Sequence, residues 1–222
     1  MPPRLTISKE NYLKAIAEAE NQGETVKAVT LVRWLGVSAP AVTMAIRRLR
    51  RDGLIQVDAE GQLSLTAGGR DIANRLLNRH HLIERMLTEI FGLEWYKVHD
   101  EAEQLEHAVS ADFERKLIEK LGTATECPHG NQVEFDSPND RRKRGLKPLD
   151  EARPGERLVV ASVFERDLQL LEHLDGVGIR PGATIEVSAA GSDLELTTAA
   201  GTIRLGRGEA GKVWVRASFP LE

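Results

Sequence analysis

Cysteine occurs once in the 222 residues, at Cys127. No internal disulfide is therefore possible, and the thiol is either free or a metal ligand. Aromatic residues are only 5% of the chain, and no apolar run approaches the roughly 20 residues that span a bilayer. A membrane-spanning helix is excluded on that ground. The opening stretch, "MPPRLTISKENYLKAIAEAE", lacks the apolar segment of a secretory signal, so a cytoplasmic location is expected. Neither sign of charge dominates, the net being −4. Taken whole, that value argues against a nucleic-acid partner, but its distribution argues for one. Residues 1–75 carry 11 Lys+Arg against 8 Asp+Glu, whereas residues 76–135 carry 6 against 12 and hold five of the six histidines. A basic head precedes an acidic, histidine-loaded middle.

With 41% hydrophobic and 29% charged residues the chain reads as a helix-rich globular protein of two or three small domains. In the head, "ENYLKAIAEAENQG" has helical apolar spacing, and "VTLVRWLGV" is a short second helix stopping at Gly36. "SAPAVTMAIRRLRRDG" is a third, with Ser38 as N-cap, Ala39 and Pro40 in the first turn and Gly53 at the end. Val42, Ile46 and Leu49 form its buried stripe, leaving Thr43, Met44, Arg47, Arg48, Arg50 and Arg51 outward. "LIQVDAEGQLSLT" then reads as two alternating strands around a turn. An isolated basic helix is ordinarily a solvated face. Here a short preceding helix and a trailing β-ribbon make it the recognition helix of a winged helix-turn-helix, set to enter the major groove.

In the middle, "GRDIANRLLNRHHLIERMLTEIFGL" reads as a long helix with Leu76, Ile83, Leu87 and Ile90 in its core. "WYKVHDEAEQLEHAVSADFERKLIEKLG" reads as a single second helix burying Val98, Ala102, Leu105, Val109 and Phe113. Their apolar surface exceeds what one small winged helix covers, so a homodimer is expected. Counting from His99, Glu103, Glu106 and His107 fall at about +40°, −20° and +80° around a helix, on one side. His80 and Glu84, four apart, share a face of the preceding helix. Cys127 and His129 follow, with Pro128 stiffening the loop between them. Adjacent carboxylates repel unless neutralised, and carboxylate, imidazole and thiolate together are what divalent first-row metals take. His81 and His173 read as ordinary histidines. After a polar, Pro/Gly-rich stretch, strands resume near Arg157 around one short helix, "DLQLLEHLDGVG", as a small β-barrel.

At these residues the chain resembles the diphtheria toxin repressor family of iron- and manganese-dependent transcriptional repressors. "RHHLIER" and "KVHDEAEQLEH" are similar to the two metal-ligand helices of that family. The resemblance implies a mainly α fold with α+β ends. It comprises a winged helix at 1–74, a helical metal-binding and dimerisation domain at 75–140, a linker at 141–152 and an SH3-like domain of the ferrous-transport-A type at 153–222. It implies that His80, Glu84 and His99 belong to an ancillary metal site and Glu103, Glu106 and His107 to the primary, regulatory one. "CPHG" is similar to the loop of manganese-responsive members, which carries Cys127 and His129 over as ligands. Glu165, in "VFERD", aligns with the barrel segment that lends ligands. Glu103 stands where iron-type members have cysteine. Asn11 stands where iron-type members use Met and manganese-type members Asp. Ser38, Pro40 and Thr43 lie where the family's recognition helix meets its operator.

The resemblance thus implies a homodimeric, metal-dependent repressor of metal-homeostasis genes that binds palindromic double-stranded DNA and has no enzymatic activity, small-molecule substrate or membrane association. Oxygen ligands at Glu103 and Glu106 favour Mn2+, with Fe2+ next. The thiolate admits Co2+, Zn2+ or Cd2+ in vitro, where affinity follows the Irving–Williams order. Two other readings stay open on the residues alone. One is a constitutive DNA-binding dimer with a structural metal, and the other a metal-dependent hydrolase.

Overall fold

The structure, a computed structural model, describes residues 6–123 and 125–218. They form two compact units. One runs up to His80 and takes in Val133–Pro138; the other comprises His81–Gln132 and the chain from Asn139 onward.

In the first unit, helix α1 (Ile7–Asn21) begins at Thr6, whose hydroxyl accepts from the Lys9 amide. Helix α2 (Ala28–Leu35) ends at Gly36, whose φ of 63° is the left-handed conformation that glycine tolerates. The Ser38 hydroxyl caps α3 (Ala39–Arg51) by accepting from the Ala41 amide, and Pro40 occupies the first turn. The bend from α2 to α3 is 117°, within the range of about 90–120° for a helix-turn-helix. Strands β1 (Ile55–Val57) and β2 (Leu63–Leu65) pair antiparallel, their turn closed by the Asp58 carboxylate accepting from the Gln62 amide at 2.7 Å. Leu13, Ile16, Leu31, Leu49 and Leu63 are fully buried together. This is the three-helix, two-strand head that the sequence predicts.

Helix α4 (Ala67–Glu89) is a single helix carrying His80 in the first unit and His81 and Glu84 in the second. It is followed by α5 (Val98–Leu105), α6 (Ala111–Leu121) and α7 (Pro138–Lys143). The barrel is a six-stranded antiparallel sheet in the order β3-β8-β4-β5-β6-β7. Its strands are β3 (Lys147–Pro148), β4 (Arg157–Val163), β5 (Thr184–Ala190), β6 (Asp193–Thr198), β7 (Gly201–Gly206) and β8 (Val213–Ala217). Helices α8 (Leu168–Gly176) and α9 (Arg207–Ala210) complete it. Leu171, Leu174, Ile185 and Leu194 lie in its core, and Trp95, from the turn before α5, donates to Asp175 at 2.6 Å. Among the described residues no single helix is long and apolar enough to cross a membrane.

Two expectations are corrected. The helix read through from Trp95 to Gly122 is two helices, broken at 106–110 because the Ser110 hydroxyl accepts from the Phe113 amide and restarts the helix as an N-cap. The apolar register therefore does not carry through: Leu105 and Phe113 are exposed and Val109 is half-buried. Ile90, just beyond the end of α4, is 40% exposed rather than in the core. The second correction concerns the linker. Residues 141–152 contain the end of α7, strand β3, which pairs with β8, and a 3-10 turn at Leu149–Glu151. Leu149 and Ala152 belong to the barrel core. Leu149→Ala should thus cost about 2–5 kcal/mol in chemical denaturation, as a core truncation does; a change within about 0.5 kcal/mol would return the segment to linker status.

Candidate metal centre

Glu84 and His81 are three residues apart on α4 and both buried. The loop that brings Cys127 and His129 to them turns tightly, with Cys127 N–H donating to the Asn131 carbonyl and Gly130 N–H to the Cys127 carbonyl, both at 2.9 Å. Strand β4 then fixes the loop. The Val163 amide donates to the His129 carbonyl at 3.0 Å, and the Asn131 side-chain amide donates to the Val163 carbonyl at 3.1 Å and to Glu165 at 2.6 Å. Gly130 has φ +78°, and a Cβ there would sit 2.0 Å from the Ala161 carbonyl oxygen. Only glycine lets the loop lie this close to the strand.

The side chains converge. Glu84 Oε1 is 3.4 Å from Nδ1 of both His99 and His129. Glu165 lies 3.5 Å from the Cys127 sulfur, 3.7 Å from His129 Nδ1 and 4.0 Å from His99 Nδ1. Cys127 Sγ and His129 Nδ1 are 3.8 Å apart. Donor atoms of His81, Glu84, Cys127 and Glu165 all fall within 4.8 Å of one another. Two carboxylates and a thiol are thus held out of water beside several imidazoles, an arrangement that needs positive charge to be stable. His129 Nε2 is buried without a hydrogen-bond partner. The donor set fits a divalent transition metal in type, number and proximity.

The same proximity sets the protonation states. Burial pulls the His99 pKa down, but hydrogen bonds to Glu103 and Glu84 and the charges of Glu165 and Glu84 outweigh it and raise the value to about 10. Burial and Glu84 push Glu165 up, but the His99, His81 and His129 imidazoles prevail and hold it at about 2. Burial, then Glu84 and Glu165, drive the Cys127 thiol upward.

The remaining expected ligands are placed differently. His80, in the first unit, receives the buried Lys14 ammonium at 2.9 Å on Nδ1. Asn11 lies on α1 in that same unit. Glu106 and His107 follow the end of α5 and approach to 3.5 Å. Glu103 turns instead to Arg166, at 2.7 Å, and to His99 Nε2, at 3.6 Å. Among the described residues Glu103, Glu106 and His107 do not converge as the buried cluster does. On α3, Ser38, Ala39, Pro40, Thr43, Met44, Arg47 and Arg48 are all exposed. The Thr43 hydroxyl donates back to the Ala39 carbonyl, and the first turn has no acidic residue.

Three stretches of the chain match known families. Residues 4–63 match "Iron dependent repressor, N-terminal DNA binding domain", 66–134 match "Iron dependent repressor, metal binding and dimerisation domain", and 147–217 match the FeoA domain. The diphtheria toxin repressor of Corynebacterium glutamicum is 31% identical over 192 residues, covering 82% of this chain and 84% of the relative. The chain belongs to the iron-dependent repressor family. The iron-dependent repressor IdeR of Mycobacterium leprae is 34% identical over 203 residues, covering 85% and 87% of the two chains. A manganese-dependent transcriptional repressor solved in complex with manganese superposes with a TM-score of 0.83 at 31% identity, over 95% of this chain and 100% of the other. As a member of this family the protein is a metal-dependent transcriptional repressor, with an N-terminal winged helix, a helical domain and a C-terminal SH3-like barrel.

Three residues that the structure places against these side chains were not singled out from the sequence. His81, set aside as ordinary, sits in the cluster; its i,i+3 spacing to Glu84 was the available signal. Asn131 and Arg166 reach their partners 34 and 63 residues away, and no local pattern announces either.

His99 and Cys127 both carry protons at pH 7. Metal uptake by this cluster is therefore expected to release about one to two protons and to tighten with rising pH. Calorimetry in buffers of different ionisation enthalpy measures this, and uptake without proton release would remove both residues from the donor set. Folding has its own pH dependence. The raised His99 pKa contributes stability below its ordinary 6.5, and that contribution is lost as pH rises through about 10. Glu165 contributes above 4.5, and its share is lost as pH falls through about 2. Gly130→Ala should weaken metal uptake while leaving the barrel folded. Unchanged affinity in that variant would mean the loop tolerates displacement from β4.

Proposed function

We propose that this repressor senses Mn2+, with Fe2+ as the next candidate, and controls metal-homeostasis genes in the cytoplasm as a homodimer on a palindromic operator. The observation that carries this reading is the convergence of Glu84, Cys127 and Glu165 with His81 within 4.8 Å in a buried position. In this reading Glu84, His99, Cys127, His129 and Glu165 hold one ion, with His81 beside them. Glu103, Glu106 and His107 form the regulatory site. A bound dication supplies the positive charge that these carboxylates otherwise draw from protonated imidazole and guanidinium. Carboxylate oxygens outnumber the single thiolate, which favours Mn2+ or Fe2+ in the cell, while Zn2+, Co2+ and Cd2+ compete in vitro.

The chain's own residues link sensing to DNA binding. Buried Lys14 ties α1 to His80 of α4, and α4 continues without a break to His81 and Glu84. A change in how α4 is held is thereby felt by α1, which packs on α2 and α3 in the head. Ser38, Ala39, Pro40 and Thr43 present the first turn of α3 to the base edges. Met44 extends that surface, and Arg47 and Arg48 reach phosphates. Phe91, Phe113 and Ile118, 65%, 47% and 42% exposed, supply an apolar surface for the partner protomer. A dimer places two recognition helices about 34 Å apart or a multiple of it.

Coupling is reciprocal: if metal tightens operator binding, operator tightens metal binding equally, typically by about 5–150-fold. Selection of duplexes from a random library, in parallel with Mn2+ and with chelator, should enrich a palindrome only with metal. Equal enrichment would reduce the metal to a structural part. Glu103→Ala and His107→Ala proteins should fold and dimerise yet lose metal-stimulated binding of the selected duplex; stimulation retained in both would refute the regulatory assignment.

A further inference from the structure

We propose that Arg166 sets the metal threshold of this repressor by competing, as a fixed cation, for the Glu103 carboxylate. This rests on the reading of Glu103 as a ligand of the regulatory site. The Arg166 guanidinium donates to Glu103 Oε1 at 2.7 Å, with side chains 18% and 38% exposed. The pair is partly shielded and not a loose surface contact.

The segment that carries Arg166 is pinned on each side. The Phe164 amide donates to the Lys212 carbonyl at 2.9 Å, and Glu165 accepts from Asn131 at 2.6 Å. The Asp167 carboxylate caps α8 by accepting from the Leu170 amide at 3.1 Å and also receives the Lys212 ammonium at 2.7 Å. Arg166 is thus presented to α5 by a braced turn, and its reach to Glu103 is a property of the barrel. A guanidinium stays protonated at every physiological pH. His99 Nε2 lies 3.6 Å from the same Glu103 oxygen.

A dication taken up through Glu103 must either displace this guanidinium or bind against its charge, and in both cases affinity falls. Glu165 and Arg166 are consecutive, so one turn of the barrel gives an acid to the buried cluster and a base to the regulatory set. The two sites are therefore unequal by construction: the barrel completes one and raises the metal demand of the other.

The test is Mn2+ titration of the full-length protein, with free Mn2+ read by electron paramagnetic resonance, in a Cys127→Ser background that weakens the buried cluster. Arg166→Gln should tighten the remaining site by roughly three- to tenfold, and Arg166→Lys, which keeps the charge, should stay within about twofold of the parent. Melting without added metal establishes that each variant is folded. Glu103→Ala in the same background separates the two ideas. If it leaves the site intact, Glu103 is not a ligand and the regulatory assignment fails. If it abolishes the site while Arg166→Gln binds Mn2+ no tighter, Arg166 is an ordinary structural ion pair and the threshold role is overturned.

Discussion

The buried donor cluster of the second unit answers to one electrostatic constraint: Glu84 and Glu165, both carboxylates and both shielded from water, face the same thiol. Isolated buried carboxylates are expensive, and two together more so. The cluster meets the demand with imidazoles from three directions, His81 from α4, His99 from α5 and His129 from the loop. His99, whose pKa its acidic neighbours raise to about 10, brings positive charge that a dication can replace. The same constraint explains the close docking of the loop on β4, since neither Gly130 nor Asn131 can be moved without moving a donor atom or Glu165.

How much of this was legible beforehand depended on whether the signal was local. The head was readable because its punctuation is local: the left-handed Gly36, the Ser38 cap with Pro40 behind it, and the Asp58 turn each act within a few residues. The barrel strands were readable from alternation, which survives two register shifts in the sheet. The break before α6 was not, because helical apolar spacing continues across it and only Ser110 interrupts. Residues 141–152 read as linker because apolar burial there rests on Leu149 and Ala152, within polar and basic neighbours. At the site, the helix-borne donors could be paired by spacing. Glu165, from the barrel, came only through the family resemblance, and Arg166 not at all.

The choice between manganese and iron turns on the same donors. A thiolate softens the buried cluster and would alone favour Zn2+ or Fe2+. Glu103 and Glu106, in the proposed regulatory set, would offer hard carboxylate oxygens instead. The thiol and the carboxylates thus pull the metal preference in different directions.

That places the barrel in a different light from a passive appendage. Its core joins Ile185 and Leu194 of the strands to Leu171 and Leu174 of α8, with Trp95 and Tyr96 packed against it. Yet β4 holds the Cys127–Asn131 loop, and the turn after it supplies Glu165 to the cluster. Without the barrel, Glu84 and His99 would lose the opposing carboxylate and the loop its backing strand. With it, one dipeptide sets a carboxylate against Cys127 and a guanidinium against Glu103, so the barrel fixes the charge on both sides of α5.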